Sequence, residues 1–208
     1  MHMAETQEDP ARRTRPHHDF NESYAGTPPW DLARPQAVFQ ALADAGELRG
    51  RVLDAGCGTG EHTLMAARIG LDATGIDSAP AAIALAEAKA RERAIPARFL
   101  VHDALQLGSL DGPFDTVLDS GLFHVFNDAD RGAYVASLQT AIAPGGRYFM
   151  ACFSDRQPGD WGPRRVTEGE IRLSFADGWR IDSIERAQFV TLKDQPEVAA
   201  WLARITRI

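Results

Sequence analysis

The feature that most constrains the fold of this chain is a glycine loop behind a short apolar segment. Residues 51–54 have the pattern of a buried strand, and Gly56, Gly58 and Gly60 alternate directly after it, before a helical stretch from Glu61. Such a loop leaves main-chain N–H groups free around a ligand, because residues without a Cβ permit close approach. The spacing is not the dinucleotide fingerprint G-x-G-x-x-G, since Glu61 replaces its third glycine. By itself the loop has two interpretations: it binds a nucleotide-like ligand, or it is a tight glycine turn with only a packing role.

Strand and helix patterns alternate along most of the chain. The predicted strands cover 51–54, 72–76, 98–101, 114–119 and 147–153, and the predicted helices cover 35–46, 61–69, 80–93 and 130–142. This alternation predicts an α/β fold, a parallel sheet with helices on both faces. In the tail, Thr167 opens a short helix and residues 179–191 alternate like a strand, whereas the alanines of 198–205 favour a helix.

The domain organisation follows from length and local composition. A chain of 208 residues is long enough for one domain with a substantial core. Residues 1–18 are polar and lack periodicity, so they predict a disordered tail ahead of a single domain over 19–208. Within that domain, residues 19–34 predict a lid segment whose short helix ends at Thr27-Pro28-Pro29, because neither proline continues a helix.

Charge and cysteine usage exclude several kinds of partner. The formal net charge of −7 argues against a nucleic-acid partner, which needs a concentrated basic face. No apolar run has membrane-spanning length and no signal-peptide pattern opens the chain, so we expect a cytoplasmic protein without a membrane partner. Cys57 and Cys152 form neither a disulfide framework nor a zinc site, and no metal is predicted. The oligomeric state is left open.

Acidic residues stand at the ends of successive predicted strands. Asp54 precedes the glycines, where a carboxylate suits a ligand with a positive charge and no phosphate. Asp77 follows the second strand, a position that faces the ligand crevice of an open parallel sheet, where it can accept ribose hydroxyls. Asp103 follows the third strand and could accept a hydrogen bond from an adenine amino group. Each aspartate alone is an ordinary strand-end carboxylate, but three behind a glycine loop indicate a binding crevice.

Five segments of the chain resemble the ordered motifs of class I S-adenosylmethionine-dependent methyltransferases. They are residues 52–63, 75–79, 101–105, 114–126 and 143–154, and the resemblance spans most of residues 35–190. The resemblance implies S-adenosylmethionine as the cofactor and a Rossmann-like, doubly wound sheet of seven strands, mostly parallel with an antiparallel last strand. It therefore predicts a strand at 198–205, against local composition, and adds Ser78, Ala104 and Asp119 to the cofactor crevice.

The entry segment resembles a narrower group. Pro28-Pro29-Trp30-Asp31 with Pro35-Gln36 is similar to small-molecule methyltransferases of the thiopurine, thiol and halide type, which implies that Trp30 contacts cofactor or substrate. The stretches 122–128, 152–155 and 162–166 resemble actinobacterial enzymes that methylate heterocyclic toxins such as hydroxyquinolones. The expected acceptor is therefore a small aromatic or heterocyclic molecule, methylated on oxygen, nitrogen or sulfur.

The acceptor side of the site depends on His124 and on aromatic side chains. His124 follows the fourth strand, and its ordinary pKa near 6.5 suits a general base; the alternative is a histidine that only packs or hydrogen-bonds in the crevice. Aromatic residues in loops or at strand ends could line a flat pocket, pack in the core or cover the cofactor. They are Tyr24, Trp30, Phe123, Phe153 and Trp161.

Three other functions stay open at this stage. A methyltransferase acting on a macromolecule is disfavoured, because the Asn-Pro-Pro-aromatic signature of amino-group methylation is absent where the fourth strand ends in Asp119-Ser120-Gly121. A nicotinamide oxidoreductase is disfavoured by the glycine spacing. A non-catalytic protein that binds the cofactor and has lost the chemistry is the remaining alternative.

Overall fold

The computed structural model describes residues 20–192 and 197–208, and the tail predicted for residues 1–18 lies outside them. In this part of the chain seven strands form one sheet in the order β3-β2-β1-β4-β5-β7-β6. The strands are β1 (Arg51–Ala55), β2 (Asp72–Asp77), β3 (Arg98–Val101), β4 (Phe114–Ser120), β5 (Ile142–Phe153), β6 (Trp179–Val190) and β7 (Glu197–Arg207). The helices are α1 (Phe20–Ser23), α2 (Ala37–Asp44), α3 (Glu61–Arg68), α4 (Pro80–Glu92), α5 (Asp128–Ala141) and α6 (Glu168–Ser174). The predicted α/β sheet, mostly parallel, is confirmed.

Two apolar layers cover the two faces of the sheet. Successive strand residues point to opposite faces, so Leu53 of β1 packs in one layer with Tyr134 of α5. Val52 packs in the other layer with Phe39 of α2 and Met65 of α3. Because both faces of the central strands are covered, their sequences are nearly continuous apolar runs. These two layers fix the strand ends in space and so position the loops that follow them.

The last strand, β7, lies between β5 and β6 and runs antiparallel to both. The strand that the resemblance predicted at 198–205 is therefore confirmed, and the helix favoured by local composition does not form. Trp201 and Ala203 pack on the face of α5, whereas Ala200 and Leu202 pack on the face of α2. Pairing along both edges and burial of both faces outweigh the small helix preference of alanine.

Two local features near the carboxyl end of β4 differ from the prediction. Helix α5 begins at Asp128, two residues before the predicted start, because the Asn127 side chain accepts a hydrogen bond from the main-chain N–H of Asp130 (2.9 Å). A 3₁₀ turn at Phe123–Val125 was not predicted. It connects β4 to α5 and carries His124.

The strand order places a crevice beside β1. The chain builds β1, β2 and β3 outward in one direction and then returns to place β4 on the other side of β1. In open parallel sheets, ligands bind outside the carboxyl ends of the strands at such a switch point. The loops after β1, β2, β3 and β4 therefore form the expected site. Within the described residues, none of the helices combines the length and apolar character required to cross a bilayer.

Candidate active site

The loop after β1 adopts a backbone that only glycine accommodates. Gly58 and Gly60 have φ values of +53° and +86°. A Cβ on Gly60 would lie 2.6 Å from the Phe99 ring of β3, and a Cβ on Gly58 would lie 2.9 Å from the Tyr24 hydroxyl. Side chains at these two positions would therefore displace either the neighbouring strand or the segment that covers the loop.

Asp54, beneath this loop, has one carboxylate oxygen without a partner. Its Oδ2 accepts hydrogen bonds from the main-chain N–H (3.0 Å) and the hydroxyl (2.8 Å) of Thr63. Its Oδ1 is buried and lacks a hydrogen-bond partner among the described residues. Burial raises the pKa of Asp54 to about 7. An unpartnered buried acceptor costs free energy, and a bound donor or cation would offset that cost. The geometry thus fits a ligand that brings a positive group to the loop.

Asp77 closes β2 and turns its carboxylate toward the same loop. Its Oδ2 accepts from the main-chain N–H of Gly58 and its Oδ1 from that of Ala79, both at 2.9 Å. Burial raises the pKa of Asp77. Each oxygen keeps a second lone pair, so the carboxylate is fixed in place and still able to accept two ribose hydroxyls. Ser78 is exposed directly after it.

Asp103 lies at the end of the neighbouring strand. Asp77 pairs with Val101 across β2 and β3, so Asp103 lies just beyond that pair at the sheet edge. Its Oδ1 accepts from the main-chain N–H of Leu105 (2.9 Å) and caps a 3₁₀ turn that begins at the buried Ala104. The structure thus places the three predicted acids, Asp54, Asp77 and Asp103, at the carboxyl ends of adjacent strands.

Asp119 differs from its predicted role. Its side chain is fully buried, and its Oδ1 accepts from the main-chain N–H groups of Leu122 (2.7 Å) and Phe123 (3.3 Å). Its Oδ2 accepts from the hydroxyls of Tyr134 (3.0 Å) and Tyr148 (2.7 Å). The carboxylate is directed away from the crevice, because it points to the sheet face covered by α5. Its side chain supports the turn after β4 and is not available to a cofactor.

The predicted lid segment crosses the crevice and is fixed at both sides. At one side, the Asn21 side chain accepts from the main-chain N–H of Ala81 at the start of α4 (2.9 Å). At the other side, the main-chain N–H of Leu192, just after β6, donates to the Pro29 carbonyl (2.8 Å). The segment therefore spans from the β2 side of the sheet to the β6 side, over the glycine loop.

Tyr24 and Trp30 are the two predicted contact residues of this lid. The indole N–H of Trp30 donates to the Tyr24 hydroxyl (3.2 Å), and the Trp30 ring packs edge-on against Phe20, with centroids 6.1 Å apart. The Tyr24 hydroxyl lies against Gly58, and burial raises the pKa of Tyr24. Tyr24 thus covers the glycine loop, and Trp30 orients its hydroxyl.

A charged network that the sequence analysis missed connects the lid to the glycine loop. The Thr59 hydroxyl donates to Asp31 of the lid, and Lys89 Nζ of α4 donates to Thr59 Oγ1 (2.6 Å) and Glu61 Oε1 (2.9 Å). Arg93 binds Glu61 through both terminal nitrogens, at 2.8 and 2.9 Å. Lys89 and Arg93 stand four residues apart on one helix face, a spacing that could have indicated a shared acidic partner.

His124 lies in the 3₁₀ turn after β4, buried in a largely apolar setting. The main-chain N–H of Phe153 donates to its Nδ1 (3.0 Å). Its ring contacts Phe153 and Phe189 edge-on, with centroids 5.0 and 6.2 Å apart. Burial, together with the charges of Arg131 and Arg165, lowers the pKa of His124 to about 3. The ring is therefore neutral at ordinary pH, and this setting favours a hydrogen-bond donor over the predicted general base.

An aromatic wall continues from His124. The Phe153 and Trp161 rings meet edge-on with centroids 6.1 Å apart, and Phe189 lies 5.8 Å from Phe153. The Arg165 guanidinium lies 5.5 Å from the centroid of Phe153 and 5.6 Å from that of Trp161. Phe189 was not predicted, because it belongs to β6, which is distant in sequence from the motif segments.

Phe123 does not belong to this wall, and its predicted acceptor contact does not hold. Its side chain is fully buried and stacks on Phe175, with centroids 5.8 Å apart. The Arg131 guanidinium lies 4.5 Å from its ring centroid on the same side of the sheet. The 3₁₀ turn after β4 therefore directs Phe123 to the sheet face covered by α5 and its neighbour His124 to the layer of Phe153 and Phe189.

The fold and the site together define an α/β enzyme class that binds a cationic nucleoside at a glycine loop. The profile of the family described as a methyltransferase domain matches residues 52–146. A 2-heptyl-1-hydroxyquinolin-4(1H)-one methyltransferase of Mycobacteroides abscessus is 38% identical over 170 residues, which cover 80% of this chain and 75% of that protein. The chain belongs to the S-adenosylmethionine-dependent methyltransferases, and its cofactor is S-adenosylmethionine.

Solved structures agree with this assignment. A protein studied for the conversion of a disulfide bond into a thioacetal group during echinomycin biosynthesis is 36% identical, with 90% of each chain covered and a TM-score of 0.84. Magnesium protoporphyrin IX methyltransferase from Synechocystis, solved with S-adenosylmethionine bound, shares the fold at 22% identity, with 83% of this chain and 77% of that chain covered and a TM-score of 0.65.

Proposed function

We propose that this methyltransferase acts on an oxygen, nitrogen or sulfur atom of a small aromatic or heterocyclic molecule. The observation that carries the proposal is the aromatic wall of Phe153, Trp161 and Phe189 beside His124, which suits a flat acceptor. The relative that acts on a hydroxyquinolone supports the same class of acceptor. A cytoplasmic location remains a prediction from the sequence.

The residues of the crevice divide into a cofactor side and an acceptor side. When bound, S-adenosylmethionine supplies an activated methyl group, so the chain itself has to bind, orient and exclude water. On the cofactor side, Asp77 would accept the ribose hydroxyls, Asp103 would face the adenine, and Asp54 would lie behind the methionine part. Tyr24 and Trp30 would cover the cofactor and separate the reaction from solvent.

Calorimetric titration tests the cofactor side. Asp77→Ala removes the acceptors for the ribose hydroxyls, and hydrogen bonds to a charged group contribute about 1.5–3 kcal/mol, so affinity for S-adenosylmethionine should fall about 10- to 100-fold. Asp72→Ala, at the opposite end of the same strand and exposed, is the matched control and should bind like wild type. Unchanged affinity in Asp77→Ala would contradict the assignment of the ribose site.

Methyl transfer to a panel of compounds tests the acceptor side. The panel contains 2-heptyl-1-hydroxyquinolin-4(1H)-one, 4-nitrophenol, thiophenol and iodide, assayed by conversion of S-adenosylmethionine to S-adenosylhomocysteine. Turnover of the aromatic compounds but not of iodide supports the proposal. Tight binding of S-adenosylmethionine without turnover of any of them would favour a protein that binds the cofactor and has lost the chemistry.

A further inference from the structure

The main chain fixes the protonation state of the His124 ring. A main-chain N–H can only donate, so the bond from Phe153 to Nδ1 (3.0 Å) requires an unprotonated Nδ1. A neutral imidazole carries one proton, which then belongs to Nε2. Taking up a second proton, or moving the first to Nδ1, would break this bond and leave a buried N–H unpaired. His124 therefore presents an N–H donor at Nε2.

The Nε2 side of the ring faces the carboxyl end of β4. A Cβ built on Gly121 would lie 3.2 Å from Cε1 and 3.3 Å from Nε2, so only a glycine leaves this edge of the ring uncovered. Within the described residues, no group accepts a hydrogen bond from Nε2. Leu122, in the same turn as His124, would lie 3.2 Å from a Cβ built on Gly56 of the glycine loop. The turn that carries the donor therefore borders the switch point between β1 and β4.

Two arginines act on His124 electrostatically. Arg165 of the loop after β5 lies beside the Phe153 ring, whereas Arg131 of α5 lies on the Phe123 side of the sheet and is paired with Glu170 (3.4 Å). Phe153 of β5 and Phe189 of β6, which contact the His124 ring, are apolar. Arg165 lies over the faces of the aromatic wall, within 5.6 Å of two ring centroids. Burial alone would disfavour an anion here, but the Arg165 guanidinium and the fixed N–H donor both favour an anion over a neutral hydroxyl.

We propose that the acceptor binds already ionised, as an oxyanion or thiolate of an acidic aromatic compound, and that His124 donates a hydrogen bond to that anion through Nε2. This inference rests on the proposed function. The acceptor loses its proton to solvent before it binds. Its lone pair then forms the bond to the methyl carbon while the carbon–sulfur bond breaks and leaves its electron pair on sulfur. No proton is transferred to the protein, so His124 stays neutral throughout.

The role of His124 as a donor predicts a specificity limit. Acidic hydroxyl compounds should be methylated and weakly acidic alcohols should not, because the site has no group to remove a proton from them. With 4-nitrophenol, 4-chlorophenol, phenol and benzyl alcohol, kcat/KM at pH 7 should fall in that order, with no turnover of benzyl alcohol. Efficient methylation of benzyl alcohol would overturn the proposal.

Two substitutions of His124 distinguish a role as a hydrogen-bond donor from a role as a general base. His124→Gln keeps an N–H donor near the position of Nε2, whereas His124→Asn keeps only an acceptor for the Phe153 N–H and is too short to reach the anion. Neither side chain can act as a base. We expect kcat/KM within about tenfold of wild type for His124→Gln and a loss of about 100-fold or more for His124→Asn, the usual effect of removing one oxyanion donor. Equal losses in the two variants would refute the donor role.

The tautomer itself can be measured without turnover. In ¹⁵N-histidine-labelled protein saturated with S-adenosylhomocysteine, the His124 spectrum should show a protonated Nε2 and an unprotonated Nδ1 from pH 8 down to pH 5. A proton on Nδ1, or a charged ring at pH 6, would overturn the proposal. If S-adenosylhomocysteine does not bind at all, or if wild type methylates no aromatic compound, the proposed function fails instead, so the two failures are distinguishable.

Discussion

Asp119 accepts four hydrogen bonds from groups on three different elements. The Tyr134 and Tyr148 hydroxyls also interact with each other, so one of them keeps an acceptor when Asp119 is lost. Asp119→Ala would therefore leave the two N–H groups of the turn and one tyrosine hydroxyl buried without an acceptor. Each such group costs about 1–3 kcal/mol, so we expect a loss of at least about 3 kcal/mol in the free energy of unfolding. Urea denaturation measures it. Asp119→Asn, which keeps one acceptor and can donate to the tyrosine oxygens, is the control; equal stability of the two variants would show that the four bonds contribute little.

The contrast between Asp54 and Asp119 shows what sequence could predict at single positions. Both close apolar strands next to one another, and the register pairs Ala55 of β1 with Asp119 of β4. Paired residues share a face, so Asp119 lies with Ala55 against α5, whereas Asp54 points to the opposite face and α3. Strand ends could be predicted from the sequence, but this register could not. The partners of Asp119, Tyr134 and Tyr148, also come from segments that no local pattern connects.

At the scale of elements, Lys89 links α4 to the glycine loop and to the lid. It contacts Glu61 (2.9 Å), Thr59 (2.6 Å) and, more distantly, Asp31 (3.9 Å), with 22% of its side chain exposed. Lys89→Met keeps the apolar stem and removes the charge. We expect affinity for S-adenosylmethionine to fall about fivefold, equivalent to about 1 kcal/mol, with a smaller change in kcat because no reacting atom is touched.

A salt titration tests whether this loss of affinity in Lys89→Met is electrostatic. The affinity of wild type for S-adenosylmethionine should decline from 50 to 500 mM NaCl, and that of Lys89→Met should change less, because screening acts on the charges that the variant lacks. Arg91→Met is the control, since Arg91 is 71% exposed on the same helix and its ion pair among the described residues is with Glu87. If both variants bind like wild type at low salt, the network does not fasten the lid over the cofactor.

The elements that the sequence predicted well are those with a strong local pattern. Strands β1 to β4 and helices α3 and α4 agree with the predicted segments to within a few residues, because apolar periodicity and glycine or proline boundaries are local signals. The path of residues 20–34 across the crevice depends on contacts with Ala81 and Leu192, which no periodicity encodes. Strand β7 was predicted only through the resemblance, since its alanines carry no strand preference.

At the scale of the whole molecule, the sheet separates two kinds of environment. The carboxyl ends of β1, β2 and β3 carry carboxylates held by main-chain groups, whereas the region after β4 and β5 carries aromatic rings, an imidazole and the Arg165 guanidinium. Composition, with a net charge of −7, did not indicate an arginine beside these rings. Arg165 belongs to the loop after β5, and only the tertiary structure brings its guanidinium against Phe153 and Trp161.

Buried carboxyls and buried imidazoles have opposite effects on how the free energy of unfolding depends on pH. Burial raises the pKa values of Asp54 and Asp119 to about 7 and about 6, so their stabilising contribution decreases as pH rises from their unfolded values near 4. His62 of α3 accepts a hydrogen bond at Nε2 from the main-chain N–H of Gln36 (3.1 Å). Burial lowers the pKa values of His62 and His124 to about 4 and about 3, so their stabilising contribution decreases as pH falls below about 6.5. Between pH 7 and pH 5, acidification therefore favours the folded aspartates and disfavours the folded histidines.

We expect these effects nearly to cancel in wild type, so that the free energy of unfolding changes by less than about 1 kcal/mol between pH 7 and pH 5. Removing one histidine should make the free energy of unfolding depend measurably on pH. In His124→Gln the unfolded chain has one proton fewer to gain at pH 5, so on going from pH 7 to pH 5 the variant should gain about 2 kcal/mol relative to wild type. Guanidinium denaturation at the two pH values measures both differences. Parallel behaviour of the two proteins would mean that His124 titrates in the folded state much as it does in the unfolded chain, and the ring would then not be locked by the Phe153 N–H.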